Sequence, residues 1–204
     1  MLSLPADETF NTNTKNRFVT MKKITAISVV SLLLLASCGG KGKDAASMDY
    51  GLEEANEVIS YYNTSIDITK KMVDMGEISK IIDYMQKNGK TLVAPVVIRT
   101  PVSATDTTAL LNPGDCFPSS AADSLKMYYR RFFDVSKRLY ANYDAYRAYI
   151  KAEDYKDDNY AKGNEICKEE KELAEQIPGL RSQIYALLTP YADKAEEATL
   201  MDNP

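Results

Sequence analysis

The first thiol in this 204-residue sequence is that of Cys38. It ends the apolar run "ITAISVVSLLLLAS" and is followed by two glycines, while Lys22 and Lys23 stand just before the run. A basic segment, a short apolar segment and small residues at a cleavage point are the three parts of a secretory signal. The thiol therefore lies where a signal peptide would be cut.

The residues before this cysteine resemble the bacterial lipobox. Leu35, Ala36, Ser37 and Cys38 match its pattern, Leu-Ala/Ser-Ala/Ser/Gly-Cys. The resemblance implies that a diacylglycerol is attached to Cys38 and that the chain is cut before it. The apolar run is shorter than the roughly 20 residues that cross a bilayer as a helix. Two or more acyl chains would anchor the protein stably to a membrane. Cys38, as the lipidation site, is the one modification site that the sequence predicts.

The lipobox divides the chain into four segments. Residues 1–20 are a polar extension, which indicates that translation begins at Met21. Residues 21–37 are the lipoprotein signal peptide, residues 38–47 a flexible tether, and residues 48–204 a single helical bundle domain. Residues 38–204 carry 21 basic and 27 acidic residues, a net charge of −6. This charge argues against nucleic acid as a partner, because phosphate binding needs a clustered positive field.

The absence of histidine narrows the enzymatic alternatives. It removes Ser-His-Asp and Cys-His nucleophile systems, the His-Glu-x-x-His zinc site and the Glu-x-x-His di-iron bundle. Motifs for serine nucleophiles and for a phosphate-binding loop are also missing. We therefore assign no catalytic residue, no metal ligand and no cofactor. An extracytoplasmic hydrolase with paired carboxylates needs no histidine and stays open as an alternative.

Apolar periodicity predicts an all-α fold, an elongated antiparallel bundle of three long helices. The first runs from about residue 48 to residue 87, with a small phase shift in its apolar pattern, and Asn88-Gly89 ends it. The second runs from about Ser120 to Lys151, with Ser119 or Ser120 as its N-cap. The third follows "YKDDN" and is kinked at Pro178-Gly179, where a full break would give four helices.

A long irregular loop, about residues 90–118, joins the first two helices. It is rich in proline, threonine and valine and has no helical period. A short hairpin of residues 96–98 and 109–111 is an alternative. Loops of this length often carry function, although a crossover that merely spans the bundle explains this one equally well.

The segment from Glu153 to Asp158 holds four carboxylates and is the candidate calcium site. Lys156 stands where an EF-hand loop would need a ligand. We therefore interpret the segment as a turn in which Asp157, Asp158 or Asn159 caps the third helix, and we predict no metal site.

Six tyrosines lie on the second predicted helix: Tyr128, Tyr129, Tyr140, Tyr143, Tyr146 and Tyr149. They would suit a stacking platform for sugars or a peptide groove, but a bundle seam whose hydroxyls reach its wet edge is the simpler interpretation. The same helix carries a basic stripe, and the early third helix is acidic. We expect ion pairs between these helices in preference to an anion-binding patch. The stripes comprise Arg130, Arg131, Lys137 and Arg138 on one side and Glu165, Glu169, Glu170, Glu172 and Glu175 on the other.

Cys116 and Cys167 are predicted not to form a disulfide. One cysteine precedes the second helix, which spans roughly 45 Å, and the other lies about 12 Å into the third. If the two helices are antiparallel neighbours, the sulfurs lie on the order of 30 Å apart, whereas a disulfide needs Cα atoms within about 7 Å.

The second half of the chain resembles the YiiG-like family of bacterial lipoproteins. The resemblance is carried by the tyrosine-rich helix, by "YRAYIKAEDYKDDNYAKG" and by the amphipathic helix after it, and it is strongest from Tyr128 to Gly163. The ending "SCGG" resembles lipoproteins of the Bacteroides group. The YiiG-like family is of unknown function, so the resemblance implies no catalytic residue.

We therefore expect a lipid-anchored protein of the bacterial cell envelope with a non-catalytic binding or scaffolding role. Its partners would be the membrane, through the anchor, and an envelope protein or a glycan. The chain lacks an acidic run after Cys38. This favours a position on the outer membrane facing the periplasm over the cell surface.

Overall fold

Asp74 divides the first predicted helix into two. The computed structural model describes residues 45–89, 93–97 and 102–201. It places α1 at Leu52–Met72 and α2 at Met75–Gln86. The Asp74 carboxylate accepts the backbone N–H of Gly76 at 2.7 Å and that of Glu77 at 3.3 Å, and so caps α2. The single helix from 48 to 87 was therefore wrong, and the phase shift in the apolar pattern marks the break.

The predicted end of this region is confirmed. Asn88 and Gly89 have φ angles of 54° and 63°, the left-handed conformation typical of a helix end. The Gly89 N–H donates to the Tyr84 carbonyl at 3.2 Å, which satisfies one of the carbonyl groups at the end of α2.

The connection to the second long helix contains a helix where the hairpin alternative placed a strand. This helix, α3, spans Ala104–Leu111. Its cap is reciprocal: the Asp106 N–H donates to Ser103 Oγ at 3.0 Å, and the Ser103 N–H donates to the Asp106 carboxylate at 3.3 Å. The hairpin alternative was wrong because this capping box starts a helix through residues 109–111. Residues 94–97 form no strand, and Ile98 lies outside the described residues.

The second predicted helix is continuous. Helix α4 spans Ser119–Ala152, within a residue of the predicted bounds, and ends at Glu153 with a φ angle of 62°. The predicted cap was wrong, since Pro118 occupies the N-cap position and no side chain caps the helix. Ser120 lies inside the first turn, where its carbonyl accepts the Ser124 hydroxyl at 2.9 Å.

The third predicted helix is also divided. A short turn, α5, spans Tyr155–Asp158, followed by α6 at Ala161–Ala174 and α7 at Gln176–Met201. The interruption falls at Glu175, three residues before the predicted kink. Pro178 lies in the first turn of α7, where its missing N–H costs no helical hydrogen bond. Pro190 instead lies inside α7, which the sequence analysis did not anticipate.

The helices of the described residues pack around one core. Helix α1 packs against α7 and α3, helix α4 against α6 and α7, and α2 against α6. Contacts between α4 and the segment after it pair Arg138 with Glu169, Asn142 with Ile166 and Tyr149 with Asp158. Residue numbers therefore rise along one partner as they fall along the other.

The all-α class is confirmed over the described residues, which contain no strand. Within those ranges, no helix is long and apolar enough to cross a membrane. The predicted extension, the signal peptide, Cys38 and the tether as far as residue 44 lie outside the described residues.

Candidate functional site

Tyrosine side chains of α4 donate hydrogen bonds to the C-terminal ends of other helices. The Tyr140 hydroxyl donates to the carbonyl of Met72, the last residue of α1, at 3.0 Å. The Tyr146 hydroxyl donates to the carbonyl of Met85 near the end of α2, at 3.1 Å, and this carbonyl also accepts the Asn88 N–H. Carbonyls in the last turn of a helix have no intrahelical donor, so these tyrosines act as caps supplied from a distance.

Other tyrosines donate to backbone carbonyls of the segment between α2 and α4. Tyr143 donates to the carbonyl of Pro95 at 2.6 Å, and Tyr61 of α1 donates to the carbonyl of Leu110 at 2.7 Å. Tyr129 donates to Ser65 Oγ at 2.6 Å. The tyrosines at positions 129, 143, 146 and 149 are at most 3% exposed. These side chains form a buried seam and not a stacking platform, but the prediction that the hydroxyls reach a wet edge was wrong for Tyr129 and Tyr146, whose hydrogen bonds are buried.

Arg181 also supports the end of α1. Its guanidinium lies over the Phe132 ring, 5.8 Å from the centroid, and donates to the carbonyls of Thr69 and Val73. The hydroxyls of Thr69 and Tyr185 are hydrogen-bonded to each other. Burial lowers the pKa of Arg181, because the charged form loses solvation. This polar group fixes the break between α1 and α2 against α4 and α7.

The acidic segment before α6 is a corner. The Tyr149 hydroxyl donates to Asp158 Oδ1 at 2.6 Å, and the Lys162 N–H donates to Asp158 Oδ2 at 3.0 Å. Tyr160 occupies the N-cap position of α6, but Asp158, one of the three predicted choices, accepts an N–H of the first turn from two residues before it. The bond from Tyr149 holds the pKa of Asp158 below its usual range. Burial, followed by the bond to Asp158, raises the pKa of Tyr149 to about 12.

Gly163 permits the close approach that makes this corner. A Cβ atom at this position would lie 2.8 Å from Cε1 of Tyr149 and 3.4 Å from a ring carbon of Tyr146. Only glycine lets the start of α6 pack this closely on both rings. In the part of the chain that the structure describes, no three Cys, Asp or Glu side chains come together as metal ligands.

The predicted charge pairing between α4 and α6 is partial. Arg138 binds Glu169 at 2.7 Å, and Arg131 donates to the side-chain oxygen of Gln176 at 3.3 Å. Glu172 lies 3.8 Å from Lys168 on its own helix. The Arg138–Glu169 pair is solvent-exposed, so it orients the helices more than it stabilises them.

Glu170 departs from this pattern, because it is a buried carboxyl without a partner. Its side chain is 0% exposed, and neither oxygen has a hydrogen-bond partner among the described residues. Burial, and to a lesser extent the charge of Glu169, raises the pKa of Glu170 to about 8, while the nearby Asn142 amide offsets part of the rise. The Asn142 amide donates instead to the Ile166 carbonyl at 3.4 Å. Sequence reasoning assigned Glu170 to the surface stripe and missed its burial.

The prediction that Cys116 and Cys167 do not form a disulfide is confirmed. Cys116 and Cys167 are both buried, and neither is in a disulfide. The Cys116 carbonyl accepts the Tyr50 hydroxyl at 3.1 Å. Burial raises the pKa of the Cys116 thiol to about 11, with help from the charge of Glu57, so this cysteine is not an activated nucleophile.

A groove between α1 and the end of α3 is the candidate binding site. It has a volume of about 560 Å³. Its α1 wall is a row of polar side chains, and its other wall is formed by Ala109 and Asn112. The row comprises Glu53, Asn56, Glu57, Ser60 and Thr64, with Tyr61 beside it. Their spacing of three and four residues puts them on one helical face, which the sequence analysis did not single out.

The side chains of the polar row are not used in hydrogen bonds or ion pairs within the described part of the chain. None of its five side chains forms a hydrogen bond or an ion pair with any other described residue. Exposed acids elsewhere on α1 and α2 are paired, as in Asp67–Lys71 and Asp83–Lys87, each at 2.6 Å. The groove thus holds hydrogen-bonding capacity that the protein itself does not use.

Tyr61 forms a rigid part of the same groove. Its hydroxyl is held by the Leu110 carbonyl, and its ring packs 5.2 Å from the Phe117 ring and 6.4 Å from the Tyr129 ring. The side chain is half-buried, so it presents a fixed aromatic surface beside the polar row.

Solved structures from Bacteroides are similar to this chain. A DUF3829 family protein from Bacteroides vulgatus is 35% identical, with a TM-score of 0.67 over 72% of this chain and 96% of that one. An alpha-helical protein from Bacteroides fragilis is 33% identical, with a TM-score of 0.63 over 75% of this chain and 58% of that one. A DUF3829-like protein from Bacteroides thetaiotaomicron is 26% identical, with a TM-score of 0.59 over 75% and 55%. This chain therefore spans little more than half of the last two proteins.

No curated protein matches the chain. Residues 49–202 match the family described as a domain of unknown function, DUF6845. That range includes every helix from α1 to α7. The chain therefore belongs to the DUF6845 family.

Proposed function

We propose that this chain is a lipid-anchored lipoprotein of the bacterial cell envelope with a non-catalytic binding role. The lipobox at Cys38 supports the anchor, and the Bacteroides origin of the similar structures agrees with the resemblance of "SCGG" to lipoproteins of that group. The proposal places the domain at the outer membrane, facing the periplasm. We further propose that this chain is distantly related to the YiiG-like lipoproteins and shares their fold.

The observation that carries the binding role is the groove between α1 and α3. A binding site needs groups that are available to a ligand, and the five polar side chains of this row have no partner among the described residues. The paired surface charges elsewhere on α1 and α2 offer no comparable capacity. A glycan or a segment of an envelope protein would fit such a surface.

The groove favours binding over hydrolysis. A carboxylate pair that acts as acid and base needs one member with a raised pKa in a water-excluding cleft. Glu53 and Glu57 share the groove, but both are exposed. Glu170 has a raised pKa, but it is sealed in the core, where a substrate has no access. No described pair of carboxylates combines the two properties.

The proposal also covers how the long helices are arranged. We extend the opposed order seen between α4 and α6 to an antiparallel bundle formed by the long helical stretches. In this arrangement α4 is the central support and α1 presents the groove. A stiff bundle on a flexible tether would hold a ligand away from the membrane surface.

The anchor is tested with Cys38→Ala. We expect the wild-type protein to be labelled by a radioactive fatty acid and to sediment with membranes. The variant should lose the label and either leave the membrane fraction or accumulate as an uncut precursor. Ser37→Ala is the matched control, because alanine is also allowed before the lipobox cysteine and labelling should persist. Equal labelling of the Cys38 variant and the wild type would contradict the proposal.

A further inference from the structure

We infer that the groove between α1 and α3 binds a neutral oligosaccharide, an inference that rests on the binding role proposed above. The polar row mixes hydrogen-bond types along one helix face. Glu53 and Glu57 offer acceptors only, Asn56 offers both an acceptor and two donors, and Ser60 and Thr64 offer hydroxyls. A bound cation would need acceptors alone, whereas a sugar hydroxyl both donates and accepts.

The second wall adds one more free acceptor. The Asn112 amide nitrogen donates to the Thr108 carbonyl at 2.8 Å, which fixes the side chain and leaves its oxygen without a described partner. Ala109 on the same wall is small and exposed, so it leaves room across the groove. A saccharide would lie between the polar row and this wall.

The half-buried ring of Tyr61 supplies the apolar contact that a sugar ring needs. Since the Leu110 carbonyl and the Phe117 ring already hold Tyr61, binding costs little side-chain entropy. Aromatic side chains with one apolar and one wet side suit such amphipathic ligands.

The charge of the groove selects against anionic ligands. Two carboxylates line it, and none of the described residues that line it is a Lys or an Arg. Acidic sugars and phosphorylated ligands would meet like charge in the site, which is unfavourable without a counter-ion. The expected ligand is therefore an uncharged oligosaccharide.

The test is a titration of the full chain, purified with its anchor in detergent and followed by backbone amide NMR shifts. The probes are maltotriose, cellotriose and tri-N-acetylchitotriose, each up to about 10 mM, above the 1 mM range of a weak site. We expect at least one of them to shift the amides of residues 53–64 in a saturable way, and trigalacturonate to have no effect.

The variants locate the site. Asn56→Ala should weaken binding about tenfold, the loss expected for about 1.4 kcal/mol. Ala109→Leu should block the groove from its other wall. Asn63→Ala removes the same exposed side chain from α1 outside the groove lining and should bind like the wild type.

The other outcomes separate a failure of the saccharide inference from a failure of the proposed non-catalytic binding role. If none of the three saccharides shifts these amides, or if neither groove variant weakens binding, the saccharide inference is wrong. If trilysine shifts the same amides and the saccharides do not, the inference fails while the binding role stands. If a saccharide binds and is shortened, the saccharide site stands and the non-catalytic role is wrong.

Discussion

Replacing Glu170 with glutamine should stabilise this protein, and increasingly so as the pH rises. The carboxyl is 0% exposed, has no described hydrogen-bond partner and has its pKa raised to about 8. The folded state thus holds a proton that the unfolded chain releases near pH 4.5, the ordinary value for the group. Glu170→Gln keeps the size and the neutral form but removes the titration.

The linkage relation gives the sign and the size of the effect. Between about pH 4.5 and pH 8 the folded protein binds more protons at this site than the unfolded chain does. The free energy of unfolding therefore falls with rising pH, by about 1.4 kcal/mol per pH unit. Across the whole window the loss approaches about 5 kcal/mol, and above the folded-state pKa the curve levels off. Entry of water through a local opening of α6 would reduce this value.

Urea unfolding of the wild type and the variant, at several pH values from 5 to 8.5, measures this difference. Subtracting the two curves cancels the titration of all other groups. We expect the variant's advantage to be small at the acid end and to grow steadily toward pH 8. The reasoning would be refuted by a difference that is constant over this range, or by one that shrinks as the pH rises.

The matched control is Glu169→Gln, the neighbouring acid on the same helix. Its carboxylate is exposed and bound to Arg138 at 2.7 Å, so the change removes a surface ion pair. We expect a loss of about 0 to 1 kcal/mol and no gain at high pH. Similar pH profiles for the two variants would point to a general charge effect, and not to the burial of Glu170.

Two further changes test the packing. Gly163→Ala would place its Cβ 2.8 Å from the Tyr149 ring and should destabilise the fold by about 1 to 3 kcal/mol in thermal or urea unfolding. Its control, Gly179→Ala, has no atom within 4 Å of the new Cβ and should be neutral or stabilising by up to about 1 kcal/mol, so an equal loss in both would contradict the clash. Tyr143→Phe removes the donor to the Pro95 carbonyl and should cost about 1 to 2 kcal/mol, whereas an unchanged unfolding midpoint would show that this hydrogen bond contributes nothing.

Local rules were sufficient where a helix is long and its end is marked by nearby residues. The apolar period predicted α4 within a residue of its bounds, and Gly89 marked the left-handed end after α2. Asp158 was among the predicted caps of α6, because Asp and Asn side chains near a helix start accept hydrogen bonds from its first N–H groups. These features depend on residues close in the chain, which a sequence displays directly.

The break between α1 and α2 could not be predicted in the same way. A small phase shift in an apolar pattern also occurs in a curved continuous helix. Besides the local Asp74 cap of α2, what supports the break is a set of donors from distant positions: Tyr140 caps the Met72 carbonyl, and Arg181 binds the carbonyls of Thr69 and Val73. A sequence pattern does not reveal such pairings across more than 60 positions.

Helix α3 was predictable, and the groove beside it was not. "SATD" is a capping-box pattern that indicates a helix start, and Ser103 and Asp106 do form that box. The groove exists only because α3 lies against α1, a contact between segments some 50 residues apart. From the sequence alone, the row from Glu53 to Thr64 is an ordinary solvated helix face.

The distribution of tyrosines bears on where a ligand is to be sought. A crowd of aromatic residues on α4 invites the idea of a stacking platform, yet the hydroxyls of Tyr140, Tyr143 and Tyr146 all go to backbone carbonyls of other segments. Phenylalanine would fill the same space but leave those carbonyls without that donor, which is costly in a core. The tyrosine pattern is thus explained by chain breaks that need distant caps. It follows that the residues which carry the family resemblance specify the architecture, while hydrogen-bonding groups that the fold leaves unused lie on α1, outside that pattern.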